Sequence, residues 1–303
     1  MHRQYSYEAV LDAAERIRWR VDDLIGGDKQ LDFARPFMPD SLARVEGLEA
    51  LSASERRTLN QIRGHGYLYV FGLVEEFILP FVLDHARPRL HADDHRTRAL
   101  LRFAEEEAKH IHLFKRFREE FGRGFPTACE VIGPPEDVAR AVLAHHPLGV
   151  ALAILQIEWM TQQHYLESVR DDSSLDACFA ELLRHHWMEE AQHAKLDTLV
   201  VEELASSLTD EEIAAGVEAY FGLIAFFEGG TGAQAQLDLE AFERATGRTL
   251  SAQQRETFVA QQHQALKWTY IGTGMLHPRF LETLDVIAPG VRARVEALAA
   301  SYR

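Results

Sequence analysis

The chain has 303 residues, 47% of them hydrophobic, which is enough to bury one large core, and no stretch reads as a linker, so a single domain over 1–303 is expected. A net charge of −15 and a pI near 5.4 exclude nucleic acid and an anionic membrane as main partners, because both would repel such a surface. Cys129 and Cys178 stand far apart in no metal-type spacing, which excludes a disulfide framework or thiolate cluster and suits a reducing cytoplasm. The chain opens without the apolar region of a secretory signal, and no run approaches about 18 uninterrupted apolar residues. A cytoplasmic protein that does not span a membrane is therefore expected.

Apolar residues recur at helical spacing over 7–25, where Gly26-Gly27 is expected to stop the first helix. The stretch 28–51, with Pro36, Pro39 and several aromatics, reads as an irregular segment laid across the other helices. Ser52-x-x-Glu55 is a capping box that opens a helix to about residue 86, with Pro80 expected to kink or locally break it and Arg87-Pro88 to end it. Asp93 or Asp94 caps the next helix, which runs to the glycines and proline of 122–126. Pro134-Pro135 start a short helix to about residue 145, and Pro147 starts another containing Glu158. After the turn at 171–174 a long helix is expected over about 175–205. Thr209-x-x-Glu212 opens a helix expected to end at the glycines of 229–232, and Ser251-x-x-Gln254 opens one reaching about residue 275. Two short helices over 278–287 and 289–301 close the chain. No sustained alternation calls for a sheet, so the class is all-α.

Two stretches carry the chemistry. Glu106-Glu107-Ala108-Lys109-His110 and Glu189-Glu190-Ala191-Gln192-His193 share the pattern E-E-A-x-H, and positions i and i+3 project from one helical stripe. His186, four residues before Glu190, falls on that stripe too. Each copy follows a carboxylate set in apolar sequence: Glu158 lies 32 residues before Glu190, and Glu76 lies 31 before Glu107. Glu75 competes with Glu76, since either can turn inward near Pro80, and the 31-residue spacing favours Glu76. An ionised carboxylate buried without a partner costs several kcal/mol, on the order given for buried ions, and a metal removes that cost.

One Glu from each of two helices and Glu-x-x-His from each of two others is the ligand pattern of carboxylate di-iron or di-manganese bundles. Carboxylate and imidazole donors suit iron or manganese, while zinc stays open. The ligand order Glu76, Glu107, His110, Glu158, Glu190, His193 resembles ferritin-like di-iron oxygenases, and His186 at its offset from Glu190 resembles the seventh ligand of the p-aminobenzoate N-oxygenase family.

The resemblance implies a ferritin-like four-helix bundle over about 54–206, with additional helices in 1–53 and 207–303. It implies two Fe ions, with Mn as the alternative, and O2 as co-substrate. The implied activity is N-oxygenation of a small aromatic amine with electrons from an external donor. Exposed helical faces suit a homodimer.

Two other classes compete. A ferritin- or erythrin-type iron or redox protein needs only the four-helix unit and leaves the first 50 and last 95 or so residues without a role. A helical interaction protein with buried Glu–His salt bridges is disfavoured, because few basic residues lie near Glu76 and Glu158 in sequence. Asp197 is a candidate to hydrogen-bond a ligand imidazole, with a solvated helix face as its alternative. Tyr69, Gln162 and Tyr165 are expected in core packing or the lining of a cavity, and His263 and His277 in structural roles.

Overall fold

The structure, a computed structural model, describes residues 5–92 and 94–303. Among these no strand forms, and the all-α expectation holds. Helix α1 (Tyr7–Ala14) is followed by a 3-10 turn at Val21–Asp23, and a short α2 (Asp40–Ala43) interrupts the irregular segment. The long helices are α3 (Ala53–Ala86), α4 (His95–Gly124), α6 (Pro147–His164), α7 (Ala177–Ser206) and α8 (Asp210–Thr246), with α5 (Pro135–Leu143) between α4 and α6. Helix α9 (Ala252–Lys267), α10 (Thr273–Met275), α11 (Pro278–Ile287) and α12 (Arg292–Ala300) complete the chain. One-turn π-helices extend α6 at Tyr165–Val169 and link α9 to α10 at Trp268–Gly272.

The capping residues act as their types require. Ser52, Thr209 and Ser251 each close a reciprocal capping box, and Asp94 and Asp176 accept from the first turns of α4 and α7. Asp93, the other capping candidate, lies outside the described residues.

Three boundaries differ from expectation. Helix α1 stops at Ala14 instead of reaching residue 25, because the chain turns to bring Trp19 over α4. Pro80 does not break α3: it forfeits one backbone hydrogen bond, but Phe77, Ile78, Phe81 and Val82 around it are all buried and hold the helix together. Helix α8 runs through its glycines to Thr246, because Ala235, Leu239 and Phe242 beyond them are buried, and Gly247 at φ +67° then ends it.

Helix α3 packs along α4, and α6 packs against both α7 and α8, while α4 meets α7 and α3 meets α8. These contacts place α3, α4, α6 and α7 around one core and lay α8 over it. At the α6–α8 crossing a Cβ on Gly149 would lie 2.9 Å from the Gly216 carbonyl oxygen and 2.9 Å from the Tyr220 nitrogen, so the close approach needs glycine there. The sequence holds no uninterrupted apolar run of about 18 residues, yet mean hydropathy over a helix of that length is a looser measure of a membrane span. By length and composition α3 and α8 both qualify; the apolar window of α3 is 67% buried in the fold and that of α8 only 28%.

Candidate metal centre

Each core helix delivers acidic or imidazole side chains to the middle of the bundle. Helix α3 contributes Glu75, α4 contributes Glu106, Glu107 and His110, α6 contributes Glu158, and α7 contributes His186, Glu189, Glu190 and His193. All are at most 2% exposed. Helical periodicity explains the grouping on α7, where His186, Glu190 and His193 recur at four and three residues.

The donor atoms converge in two groups of four, Glu75, His110, His186 and Glu190, and Glu107, His110, Glu190 and His193, each within 4.8 Å of one another. Glu190 and His110 belong to both. Glu190 Oε1 lies 2.8 Å from His186 Nε2 and 3.0 Å from His110 Nδ1, while Oε2 lies 3.0 Å from His193 Nδ1. Glu75 Oε1 is 3.1 Å from His186 Nε2, and Glu107 Oε1 is 2.9 Å from His193 Nδ1. Glu190 thus stands between two neighbouring positions, each ringed by oxygen and nitrogen donors.

The residues fit a pair of metal ions. Both oxygens of Glu107, Oε2 of Glu75, Oε1 of Glu190, Oε2 of Glu158 and Nδ1 of His110 are buried without a well-aligned hydrogen bond, even where an imidazole nitrogen stands close by, 2.8 Å from Glu190 Oε1 and 2.9 Å from Glu107 Oε1. Native interiors leave few such atoms, and each carboxylate left so carries a desolvation cost that a cation relieves. All the donors are carboxylate oxygen or imidazole nitrogen, the set that suits iron or manganese.

Charge in the metal-free chain is balanced by protons. Burial alone would raise Glu190, yet His186, His193 and His110 hold its carboxyl well below the usual range. Burial and the negative Glu190 push Glu158 well above it, and Glu158 is hydrogen-bonded to Glu190. Burial would lower His110, but Glu190 and Glu189 outweigh it and raise the imidazole to about 9. Positive charge therefore already sits where cations would go, and metal binding has to displace protons.

The expected donors are not all brought together. Glu107, His110, His186, Glu190 and His193 join the two groups; Glu158 is buried beside Glu190 but outside both. Glu76 corrects the sequence reading: its side chain is 25% exposed and its Oε1 lies 3.0 Å from Lys115 Nζ on α4, while Glu75 faces the centre. Asp197 is buried, but no hydrogen bond to an imidazole joins it, since His193 already faces Glu106 through Nε2 and Glu107 and Glu190 through Nδ1.

The remaining expectations are mixed. Tyr69 donates to the Ile132 carbonyl, and Gln162 Nε2 donates to the Trp187 carbonyl at 3.3 Å, so both serve packing. Tyr165 stacks on Trp187 and, with His186, lines a cleft of about 10 Å³. His263 contacts the Glu228 carbonyl, and His277 caps α11 and stacks on Trp159.

Sequence reasoning missed the roles of Glu106 and Glu189. His110 Nε2 faces Glu189 Oε2 at 2.9 Å, and His193 Nε2 faces Glu106 Oε2 at 2.9 Å. The first Glu of each E-E-A-x-H copy therefore holds the histidine of the other copy, fixing its ring so that Nδ1 points at the centre. Lys109 at 2.5 Å and Arg102 at 2.8 Å neutralise these outer carboxylates. The signal was present in the doubled Glu of both copies. Trp19, which stacks on His110 with ring centroids 6.2 Å apart, had no such signal.

No family model matches the chain, and no curated protein matches it. Among solved structures it is similar to an R2-like ligand-binding oxidase with an aerobically reconstituted Mn/Fe cofactor, at 14% identity and a TM-score of 0.46, covering 88% of this chain and 93% of that one. A point variant of such an oxidase with an anaerobically reconstituted Mn/Fe cofactor matches at 14% identity and a TM-score of 0.49, covering 91% and 93%. Another with an Fe/Fe cofactor matches at 14% and 0.47, covering 88% and 93%. The chemistry open to the site follows from this chain's own side chains.

Proposed function

We propose that this chain is an oxidoreductase of the non-haem di-metal class, using two iron ions or a manganese–iron pair and O2 to oxygenate a small organic substrate. The observation that carries this reading is the pair of buried donor groups sharing Glu190 and His110, with unsatisfied carboxylate oxygens turned inward and each imidazole of the two motifs held from behind by a carboxylate. When bound and reduced, the ions supply the electrons that activate O2. Glu75, Glu107, Glu158, Glu190 and the three histidines are the proposed ligands, and Glu106 and Glu189 hold two of the rings in place. Phe103, 4.0 Å from the His193 ring, and Phe114, 5.0 Å from the His186 ring, keep water from the centre.

N-oxygenation of an arylamine is the finer reading. It rests on His186 at its offset from Glu190 and on its position against Glu190 and Glu75. An external electron donor, a cytoplasmic setting and a homodimer belong to the same proposal. Anaerobic loading with iron or with manganese and iron, elemental analysis and a panel of arylamines, aldehydes and fatty acids under ¹⁸O₂ with a supplied reductant test it. Two ions per chain and labelled hydroxylamine or nitro product are expected. Trace metal only would overturn the di-metal reading, and a label entering aldehydes or fatty acids but no arylamine would overturn the finer one.

A further inference from the structure

Beside the metal centre lies a cavity of about 200 Å³, walled by α3, α5, α6, α8 and α9, with Phe71, Val74, Ile157, Met160, Phe226 and Leu266 among its lining. Its inner side adjoins the candidate ligands. Phe71 lines it and also meets the His186 ring edge-on at 5.4 Å, while Val74 and Ile157 directly precede Glu75 and Glu158 in sequence. On the outer side Phe226 is 42% exposed, so the cavity opens toward solvent there.

The wall offers a ligand no free polar group. Among the described residues no charged side chain lines it, and its polar types are Thr231, Gln234 and Tyr270. Thr231 Oγ1 donates to the Glu228 carbonyl, and Gln234 accepts from Ile132 N and donates to Asp238. The Tyr270 hydroxyl is buried, so that residue turns no polar surface to the cavity. A hydrogen-bonding group placed here would give up its water without a replacement, and a charged group would lose far more. Apolar atoms lose nothing, and an unfilled space of this size forfeits packing contacts that they restore. An apolar cavity of about 150 Å³ takes a benzene molecule, so this one has room for a ring with a short alkyl group.

We propose that this cavity is a specificity pocket for the ring of the substrate, and that the ring is uncharged and carries only hydrogen or short alkyl groups on the side that enters. A ring-borne carboxylate is excluded, which separates this substrate class from the aminobenzoates. The role in substrate binding rests on the oxygenase reading; binding itself does not. The test therefore uses the full-length, metal-free protein and three probes of similar size, ethylbenzene, acetophenone and benzoate, titrated by calorimetry.

Ethylbenzene is expected to bind about fivefold or more tighter than acetophenone, whose carbonyl oxygen finds no donor in the wall, and benzoate to show no binding. Val138→Trp fills the cavity from a half-buried position and should abolish ethylbenzene binding, whereas Val286→Thr on the exposed face of α11 should leave it unchanged. Val138→Phe adds less bulk, should weaken binding about fivefold or more, and reads the same effect where Val138→Trp does not fold. Acetophenone or benzoate binding as tightly as ethylbenzene, or unchanged ethylbenzene binding in folded Val138→Phe, overturns the assignment. Metal uptake without ethylbenzene binding sinks the cavity assignment alone. Ethylbenzene binding in a protein that never takes up metal sinks the oxygenase reading and leaves the cavity assignment standing.

Discussion

Glu189→Ala isolates the crossed support between the two motifs. The Glu189 side chain is fully buried and accepts from His110 Nε2 at 2.9 Å and Lys109 Nζ at 2.5 Å. Its removal leaves a buried imidazole N–H without an acceptor, a cost of about 1–3 kcal/mol, and frees the ring to turn. Loss of such an outer partner lowers metal affinity about 10- to 100-fold. Glu189→Gln can keep one acceptor oxygen for His110 Nε2 while its amide N–H turns toward Lys109 and the charge is lost, so its effect should fall at the low end of that range. Glu105→Ala serves as control, since the Glu105 side chain is 69% exposed. Competition titration of Fe(II) or Mn(II) against a chelator reads the affinities, and circular dichroism checks that helicity is retained. Wild-type affinity in folded Glu189→Ala would refute the claim that this carboxylate positions His110 for a metal.

Glu75→Ala should lower metal content, whereas Glu76→Ala should leave it unchanged, as measured by elemental analysis after identical loading; the reverse result would restore Glu76 as a ligand. In the metal-free protein His110 is raised from its ordinary 6.5 to about 9, so the native state keeps a proton that the unfolded chain releases. That stability is fully present below about pH 6.5 and lost as pH rises through about 9, amounting to on the order of 3 kcal/mol. Urea unfolding of the metal-free protein at a series of pH values should show the decline, and a flat profile would refute it. Metal loading displaces the proton, so the loaded protein should not share the decline. Gly149→Ala should destabilise by about 1–3 kcal/mol, because its Cβ would lie within 2.9 Å of α8 backbone atoms that can move only by separating the helices. Thermal unfolding unchanged from wild type would show that the α6–α8 approach is not tight.

The parts of this structure legible in the sequence are those encoded within one helical turn. Ser52, Thr209 and Ser251 announce their helices because a capping box is completed three residues away, and Glu107–His110 and Glu190–His193 share a face because three residues make nearly one turn. What sequence alone hid depends on which way a helix is rotated. Glu75 and Glu76 are 100° apart on α3, and both sit in apolar sequence, so only packing against α4 and α7 decides which faces inward. The internal repeat held a hint: Glu75 precedes Glu107 by 32 residues, as Glu158 precedes Glu190. The continuation of α8 through its glycines was hidden for the same reason. The local cost of about 1 kcal/mol per glycine is visible, but the burial of Leu239 and Phe242 that outweighs it is not.

The two E-E-A-x-H copies also bear on why the chain is longer than its four-helix core. Crossed pairing of Glu106 with His193 and Glu189 with His110 makes α4 and α7 interdependent, so the centre is complete once these helices meet and α3 and α6 supply Glu75 and Glu158. Storage or electron transfer would need nothing further. The later helices nevertheless cover the α3–α6 side of that core and wall an apolar cavity whose Phe71 also meets the His186 ring. The π turn at Trp268–Gly272 contributes Tyr270 to that wall. An apolar cavity walled off beside the centre has no use in storage, and this argues for small-molecule chemistry there over iron storage.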